Sequence, residues 1–299
     1  MNSLKERILI TGAGGFIGSH LVTYFSNLEY EIYATFRNNK PQFNNNKIQL
    51  VKLDLPDTAS IDFEYDYLIH CGADTSATTN NEENFIDSNI IGSKKIFKNA
   101  IEHGARAIIN LSSMSIYGDI KTDCVRESDQ PINPNKYGAS KLEAENTLAE
   151  LANNNKSLAA VSIRLPGVVG HGSHNNFLSR LISDIILEKD IIIKNPNPSD
   201  LFNNIIHVND LSDYINYFIN GKIYKYAPVN IAASCPIPLS TAIQKIFELV
   251  GKLNSAKYIN EGKKSFQISI DNITSQGFHL RSTEEMIKSF VSETLKRNL

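Results

Sequence analysis

Apolar and polar positions follow two textures along the chain. Ile8–Ile10 is a short apolar run of the kind a buried strand makes, and Phe16, Ile17 and Leu21 open a helical period directly after it. Tyr30–Phe36, Ile48–Leu55, Tyr65–Ala73, Ala105–Ser113 and Leu158–Leu165 read as further strands, with the polar, Asn-rich Asn38–Lys47 as a surface loop. Apolar residues at Phe85, Ile90, Ile96, Phe97 and Ile101 predict a helix over Asn84–His103, stopped at Gly104, and Tyr137–Leu151 predicts a long one. Strands alternating with helices specify an α/β protein whose parallel sheet is doubly wound, with ligands at the carboxyl ends of its strands.

After Pro166 the texture changes. Helical stretches at Phe177–Leu187, Leu211–Ile219 and Thr241–Val250 are interleaved with short strand-like runs at Ile191–Lys194, Ile205–Val208 and Val229–Ala232. Ser282-Thr-Glu-Glu285 has capping-box spacing and predicts the start of a last helix. The expected division is a nucleotide-binding domain over 1–166 and a smaller α/β domain over 167–299, with part of 205–232 returning to the first sheet.

Composition narrows the classes. With 299 residues, 41% of them apolar, the chain can bury a sizeable core, and a net charge of −2 argues against nucleic acid or an anionic membrane as partner. Cys71, Cys124 and Cys235 are scattered, with no Cys-x-x-Cys pair, which suits free thiols in a reducing compartment. No segment has the length of a membrane span, and Lys5-Glu-Arg7 leads into too few apolar residues for a signal peptide. The expectation is a cytoplasmic protein without a metal site.

Two constellations carry chemistry. Gly12, Gly14, Gly15 and Gly18 lie between the first strand and first helix, where side chains would block a tight turn, the approach of a pyrophosphate to backbone N–H groups, and close helix–strand packing. The helix N-terminus adds unpaired donors and partial positive charge. Farther on, Tyr137 and Lys141 stand four residues apart, on one face of a helix, so an ammonium adjoins a phenol and is expected to lower its pKa toward that of a proton donor and acceptor. Ser112 and Ser113 end the fifth strand, where a hydroxyl can hold a substrate oxygen against that tyrosine.

In this order the motifs resemble the extended short-chain dehydrogenases/reductases, in their nucleotide-sugar epimerase/dehydratase/reductase branch. The resemblance runs through Thr11-Gly12-x-x-Gly15-x-x-Gly18, Asp54-Leu55, His70-Cys-Gly-Ala73, Asn89-x-x-Gly92, Ser112-Ser-x-x-x-Tyr-Gly118 and Tyr137-x-x-x-Lys141. It continues through Arg164-Leu-Pro-Gly-Val-Val-Gly170, Ile206-His-Val-x-Asp-Leu211 and Gly277-Phe278. It implies a Rossmann sheet with a smaller C-terminal substrate-binding domain. It also implies that Tyr137 is the general acid/base, that Lys141 tunes it and anchors the nicotinamide ribose, and that Ser113, four residues before Tyr117-Gly118, orients the substrate. The implied cofactor site comprises Gly12, Gly15, Phe16, Ile17, Gly18, Arg37, Asp54, Leu55, Cys71, Gly72, Ala73, Leu165 and Pro166 beside Tyr137 and Lys141. The implied substrate site comprises Ser113, Ser115, Asn176 and Asn203.

Departures from the family pattern shape the functional expectation. Relatives that prefer NAD end the second strand in an acidic residue; here Phe36 is followed by Arg37, which resembles members that use NADP. Met114-Ser115 stands where 4,6-dehydratases carry Asp-Glu, and Ser115 where the GDP-fucose synthase branch has a reactive cysteine, which argues against dehydration and double epimerisation. Asn203 replaces an arginine that commonly grips the substrate pyrophosphate. The leading expectation is an NADP-dependent reductase of a keto-sugar, most readily a 4-keto sugar nucleotide. The alternatives are an NAD-dependent nucleotide-sugar 4-epimerase and a dinucleotide-sensing protein without turnover. The helix over Asn84–His103 and the one carrying Tyr137 are expected to make a homodimer. Lys263-Lys264 reads as a solvated pair, His207 as orienting a loop, and the cysteines as packed thiols.

Overall fold

A computed structural model describes residues 5–75, 82–174, 176–221 and 225–297. Seven strands form the central parallel sheet: β1 (Arg7–Thr11), β2 (Glu31–Phe36), β3 (Ile48–Lys52), β4 (Tyr67–His70), β5 (Ala107–Ser113), β6 (Ala159–Leu165) and β7 (Ala227–Asn230). Their order is β7-β6-β5-β4-β1-β2-β3, so the chain changes winding direction between β1 and β4, the crevice where doubly wound sheets bind ligands. α1 (Phe16–Ser26), α2 (Ser93–Glu102) and α3 (Lys136–Asn154) are the helices that matter most for the site. Leu9, Leu68, Ile108 and Ala160 of the strands close a core against Ile96, Phe97 and Ala100 of α2 and Leu148 and Ala152 of α3. All nine side chains are buried, and removing area of this kind from water is the main term that holds the layers together.

Four expected elements differ in informative ways. The third strand ends at Lys52, short of its apolar pattern, and the fourth ends at His70, after which the Cys71 and Gly72 N–H groups donate to the Thr11 hydroxyl (3.1 and 2.9 Å). The expected helix over Asn84–His103 starts at Glu82, and its turn Phe85–Gly92 is π-helical before α2 continues it. The wider turn lets the consecutive residues Ser88 and Asn89 both face inward, and Ile86 and Ile91 consequently face out. The run expected over Val229–Ala232 begins two residues earlier and is β7 of the central sheet.

The chain divides into two compact units. The first takes Met1–Asp119, Pro131–Arg164 and Ser212–Val229; the second takes Ile120–Gln130, Leu165–Leu211 and Asn230–Leu299. In the second, α4 (Phe177–Ile186), α6 (Leu239–Val250) and α7 (Thr283–Arg297) surround short paired strands, and α5 (Val208–Asn220) begins there before running into the first unit. Gly167–Val169 pairs in parallel with Ile205–His207, and Ile192–Lys194 with Lys257–Ile259. Ser282 caps α7 as its sequence predicts: its N–H donates to the Glu285 carboxylate at 2.8 Å, and the Glu285 N–H donates to its hydroxyl at 3.3 Å. His207 is buried, receiving the Asn209 N–H at Nδ1 (3.2 Å) and meeting Glu293 at Nε2 (3.1 Å), which fixes the strand end as expected.

Candidate active site

The glycine turn after β1 is shaped by close approach. Gly12 has φ +69°, and a Cβ there would stand 2.9 Å from the Gly72 Cα, while a Cβ on Gly18 would stand 2.2 Å from the Gly12 carbonyl oxygen. These two positions therefore admit glycine alone. Gly14 differs, since a Cβ there would touch only the Asn39 carbonyl, at 3.7 Å. Gly15 is the N-cap of α1 and offers it no side-chain cap, so Phe16 and Ile17 begin a helix whose first N–H groups have no side-chain acceptor from the cap. The turn fits a pyrophosphate.

Arg37 follows the last residue of β2, Asp54 and Leu55 follow β3, and Cys71–Ala73 follow β4, so these three cofactor candidates share the carboxyl edge of the sheet. Asp54 is exposed, whereas Leu55 packs where a Cβ on Gly92 would come within 2.9 Å of it. His70 is fully buried, with Nδ1 2.8 Å from the Thr11 hydroxyl and Nε2 3.0 Å from that of Ser93. Burial, helped by the charge of Lys141, lowers its pKa to about 3, so it is a neutral brace. Burial likewise pushes the Cys71 thiol up to about 12, against the pull of Lys141, which leaves it unreactive.

Ser113 ends β5 and caps the short 3₁₀ turn Met114–Tyr117. Its Oγ accepts the Ser115 N–H at 3.1 Å, which leaves the hydroxyl proton to donate elsewhere. Ser115 thereby stays beside Ser113, and its carbonyl oxygen lies against α3, where a Cβ on Gly138 would approach it to 2.1 Å. Asn135 caps α3 by accepting the Gly138 N–H at 2.7 Å, and Asn89 donates to Ser140 at 3.0 Å, so α3 is fastened at its first turn. Tyr137 and Lys141 thus face the end of β5 from an immobilised helix.

The electrostatics differ from the sequence expectation in one respect. The Tyr137 pKa is raised, because burial disfavours the phenolate, and the Ser113 hydroxyl pulls in the opposite direction. Lys141 does not outweigh that burial in the free protein; the lysine is itself only 2% exposed, and burial brings its own pKa down to about 8, with Glu145 and Cys71 acting the other way. Among the described residues the Lys141 ammonium has no hydrogen-bond partner, a deficit that ribose hydroxyls would remove. Arg164, also buried, is a contrast: Glu145 accepts from its Nε and Nη2, at 2.8 Å for the latter, and its Nη1 donates to Tyr117 at 2.7 Å.

Leu165, the last residue of β6, and Pro166 fall in the second unit, as do Asn176 and Asn203. Asn176 caps α4, accepting the Ser179 N–H at 2.8 Å and donating to the Val168 carbonyl at 3.1 Å. It lines a cavity of about 560 Å³ together with Phe177, Phe202, Lys263, Lys264 and Phe266. The expected solvated pair Lys263-Lys264 is exposed and stands at this cavity. Asn203 does not line it. Its amide donates to the Ala233 and Ile268 carbonyls (3.0 and 2.9 Å) and accepts the Ile268 N–H (2.8 Å), so the position expected to meet substrate is an internal brace. Every polar atom there is already bonded to the backbone.

One residue at the cofactor edge was missed by the sequence reading. Asp74, 4% exposed, receives Arg37 at 3.3 and 3.4 Å, so the corner that Phe36 leaves uncharged acquires a carboxylate from the end of β4. Only its place one residue beyond the His70-Cys-Gly-Ala73 segment could have signalled it.

Comparisons with known proteins agree with this fold. The sequence model described as the NAD dependent epimerase/dehydratase family matches residues 8–232. The chain is 26% identical over 253 residues to a GDP-6-deoxy-D-talose 4-dehydrogenase of Aggregatibacter actinomycetemcomitans, covering 83% of this chain and 80% of that one. It is 30% identical over 195 residues to a UDP-glucose 4-epimerase of Vibrio cholerae, covering 60% and 58% respectively. Among solved structures, MoeE5 in complex with UDP-glucose and NAD superposes with a TM-score of 0.83 at 23% identity, over 98% of this chain and all of that one. The Bordetella bronchiseptica enzyme WbmG in complex with NAD gives 0.85 at 16% identity, over 99% of this chain and 96% of that one.

Proposed function

Because the chain belongs to the NAD dependent epimerase/dehydratase family, whose members are oxidoreductases and epimerases of the extended short-chain dehydrogenase/reductase type, we propose that it reduces a keto-sugar nucleotide at carbon 4, with NADP as its cofactor. The observation that carries this reading is the half-buried Tyr137, hydrogen-bonded to Ser113 at the carboxyl end of β5, with the buried Lys141 on the same helix face. One relative matched over most of both chains is a 4-dehydrogenase of a GDP-6-deoxy sugar, which supports oxidoreduction at that carbon. Arg37 after an uncharged Phe36 supports the phosphorylated cofactor.

The nicotinamide dinucleotide, when bound, supplies the hydride. The residues of the chain do the rest. Gly14, Gly15 and the uncapped start of α1 receive the pyrophosphate, and the Lys141 ammonium holds ribose hydroxyls. The Ser113 hydroxyl, its oxygen already engaged by the Ser115 N–H, donates its proton in a hydrogen bond to the substrate carbonyl oxygen. Tyr137 donates the phenolic proton to that oxygen as the alkoxide develops, and its high pKa in the free protein keeps the proton in place until then. The phenolate that results lies on the same helix face as the Lys141 ammonium, which stabilises it.

The 4-epimerase reading has an observation of its own: Arg37 is already engaged by Asp74, so the grip on a ribose phosphate is contested. Mass spectrometry of the protein as purified, followed by incubation with a 4-keto sugar nucleotide, separates the two. The reductase reading expects an empty site and consumption of NADPH in proportion to keto-sugar. Retained NAD with interconversion of two sugar epimers and no net oxidation establishes the epimerase instead.

The same reading includes a homodimer built through α2, α3 and the turn that precedes α2. Ile86 and Ile91 stand 50% and 39% exposed on that turn, an apolar face a second copy would cover. Sedimentation is expected to give twice the chain mass at micromolar concentration and the single mass for Ile86→Asp; a monomeric wild type refutes it.

A further inference from the structure

The pair Arg37–Asp74 has an unusual division of labour. The carboxylate is the fixed partner: the Asp74 N–H donates to Asn89 Oδ1 at 2.8 Å, its carbonyl accepts from Asn89 Nδ2 at 2.8 Å, and its Oδ2 accepts the Ser88 hydroxyl at 2.8 Å. The guanidinium is the movable one, with its side chain 49% exposed against 6% for Asp74. Both nitrogen–oxygen distances, 3.3 and 3.4 Å, exceed the usual 2.7–2.9 Å of a strong charge-assisted pair. β2 and β4 both neighbour β1, so the two residues flank the glycine turn from opposite sides. The π-helical turn is what presents Ser88 and Asn89 together to Asp74, and Asn89 continues to Ser140 between Tyr137 and Lys141.

A guanidinium at the end of β2 meets the adenosine ribose, where NADP carries a phosphate and NAD a hydroxyl. That phosphate must share Arg37 with a carboxylate, or draw Arg37 away from it and leave Asp74 buried beside a second anion. NAD makes no such demand. We propose that Asp74 is the specificity-determining residue of the cofactor site, weakening NADP relative to NAD by competing with the ribose phosphate for Arg37. The inference rests on the nicotinamide dinucleotide site of the reading above and not on which sugar reacts, or in which direction.

Dissociation constants for NADPH and NADH, measured by calorimetry without any sugar, test it. Asp74→Asn keeps the size and an acceptor for Ser88 while removing the charge. It is expected to tighten NADPH about tenfold and to leave NADH within about twofold. Asp74→Ser, a second way to remove the charge, is expected to shift the NADPH-to-NADH ratio in the same direction. In an Arg37→Ala background, Asp74→Asn is expected to lose its effect on NADPH, since there is no guanidinium left to release. A merely structural role for Asp74 would weaken both cofactors equally, and that result overturns the proposal. So does an Asp74→Asn effect that persists without Arg37, or tighter NADPH binding that tighter NADH binding matches. A failure of the reductase reading shows instead in turnover and retained cofactor, and it leaves the ratio of the two dissociation constants interpretable.

Discussion

The carboxyl edge of the sheet in the first unit and the surroundings of Asn176 and Asn203 in the second are both buried and polar, but they treat hydrogen bonds in opposite ways. The Asn203 side chain has its donor and acceptor matched by backbone, and Asn176 is occupied as a helix cap. At the sheet edge the ammonium of Lys141 has no hydrogen-bond partner among the described residues, the start of α1 has no side-chain cap, and the Ser113 hydroxyl is hydrogen-bonded to the Tyr137 phenol. Burial alone is not the cause, because Arg164 in the same unit is equally hidden and is paired with Glu145 and Tyr117. A folded chain normally satisfies its buried polar groups. Among the described residues, buried side-chain atoms without a partner occur in the second unit as well, at Asn204 Oδ1 and the Tyr258 hydroxyl, so a deficit points to a ligand only where it adjoins the glycine turn and the Tyr137–Lys141 face.

Breaking the deficient side should cost activity, and breaking the satisfied side should cost stability. The largest effect is expected for Tyr137→Phe, which keeps the ring and removes the proton: turnover falls by about two to four orders of magnitude with cofactor affinity largely kept. Steady-state kinetics that remain near normal would remove Tyr137 from the mechanism. Asn203→Ala leaves two carbonyls and one N–H of buried backbone unmatched, and denaturant unfolding should show a loss of about 3 kcal/mol with little change in the KM of the folded fraction. A large KM effect with stability intact would return Asn203 to the substrate site.

Lys141→Met sharpens the comparison, because here activity and stability should move apart. Its pKa is about 8 in the folded protein against 10.5 for a free lysine, so the folded state disfavours the charge. Below pH 8 the variant should therefore be more stable than wild type, by roughly 1–3 kcal/mol, while losing cofactor affinity. Between about pH 8 and 10.5 the unfolded chain holds a proton that the folded one has released. Wild-type stability therefore rises with pH there and the difference disappears. Thermal melts of both proteins across that range check the sign, and a variant less stable than wild type at pH 7 contradicts it. Asn176→Ala should have the smallest effect, about 1 kcal/mol of unfolding free energy, as for the loss of one helix cap.

Much of the first unit was legible because local rules and the tertiary structure agree. Apolar runs mark strands, Tyr137 and Lys141 share a helix face at any tertiary arrangement, and glycines at Gly12 and Gly18 are demanded by a turn that is contiguous in sequence. Lys141 is harder, since the helical period places it beside Tyr137 but says nothing of its desolvation. Nor does the period show that Tyr137 is itself desolvated, which raises its pKa in the free protein where a lowering is expected. In the second unit the amide of Asn203 gives no sign that Ala233 and Ile268 will take its hydrogen bonds, because those partners lie 30 and 65 residues away.

By itself, then, the sequence determined the doubly wound sheet, the glycine turn, the serine at the end of β5 and the Tyr137–Lys141 face, each a matter of period, spacing or steric room within a few residues. Tertiary structure alone decided which polar groups were left over. Asp74 meets Arg37 because β2 and β4 flank β1, and the π-helical turn brings Ser88 and Asn89 to hold it there. Hydrogen bonds and charges act over a few ångströms in space, whatever the distance along the chain. Their completion, or lack of it, is settled only when the strands have taken their order.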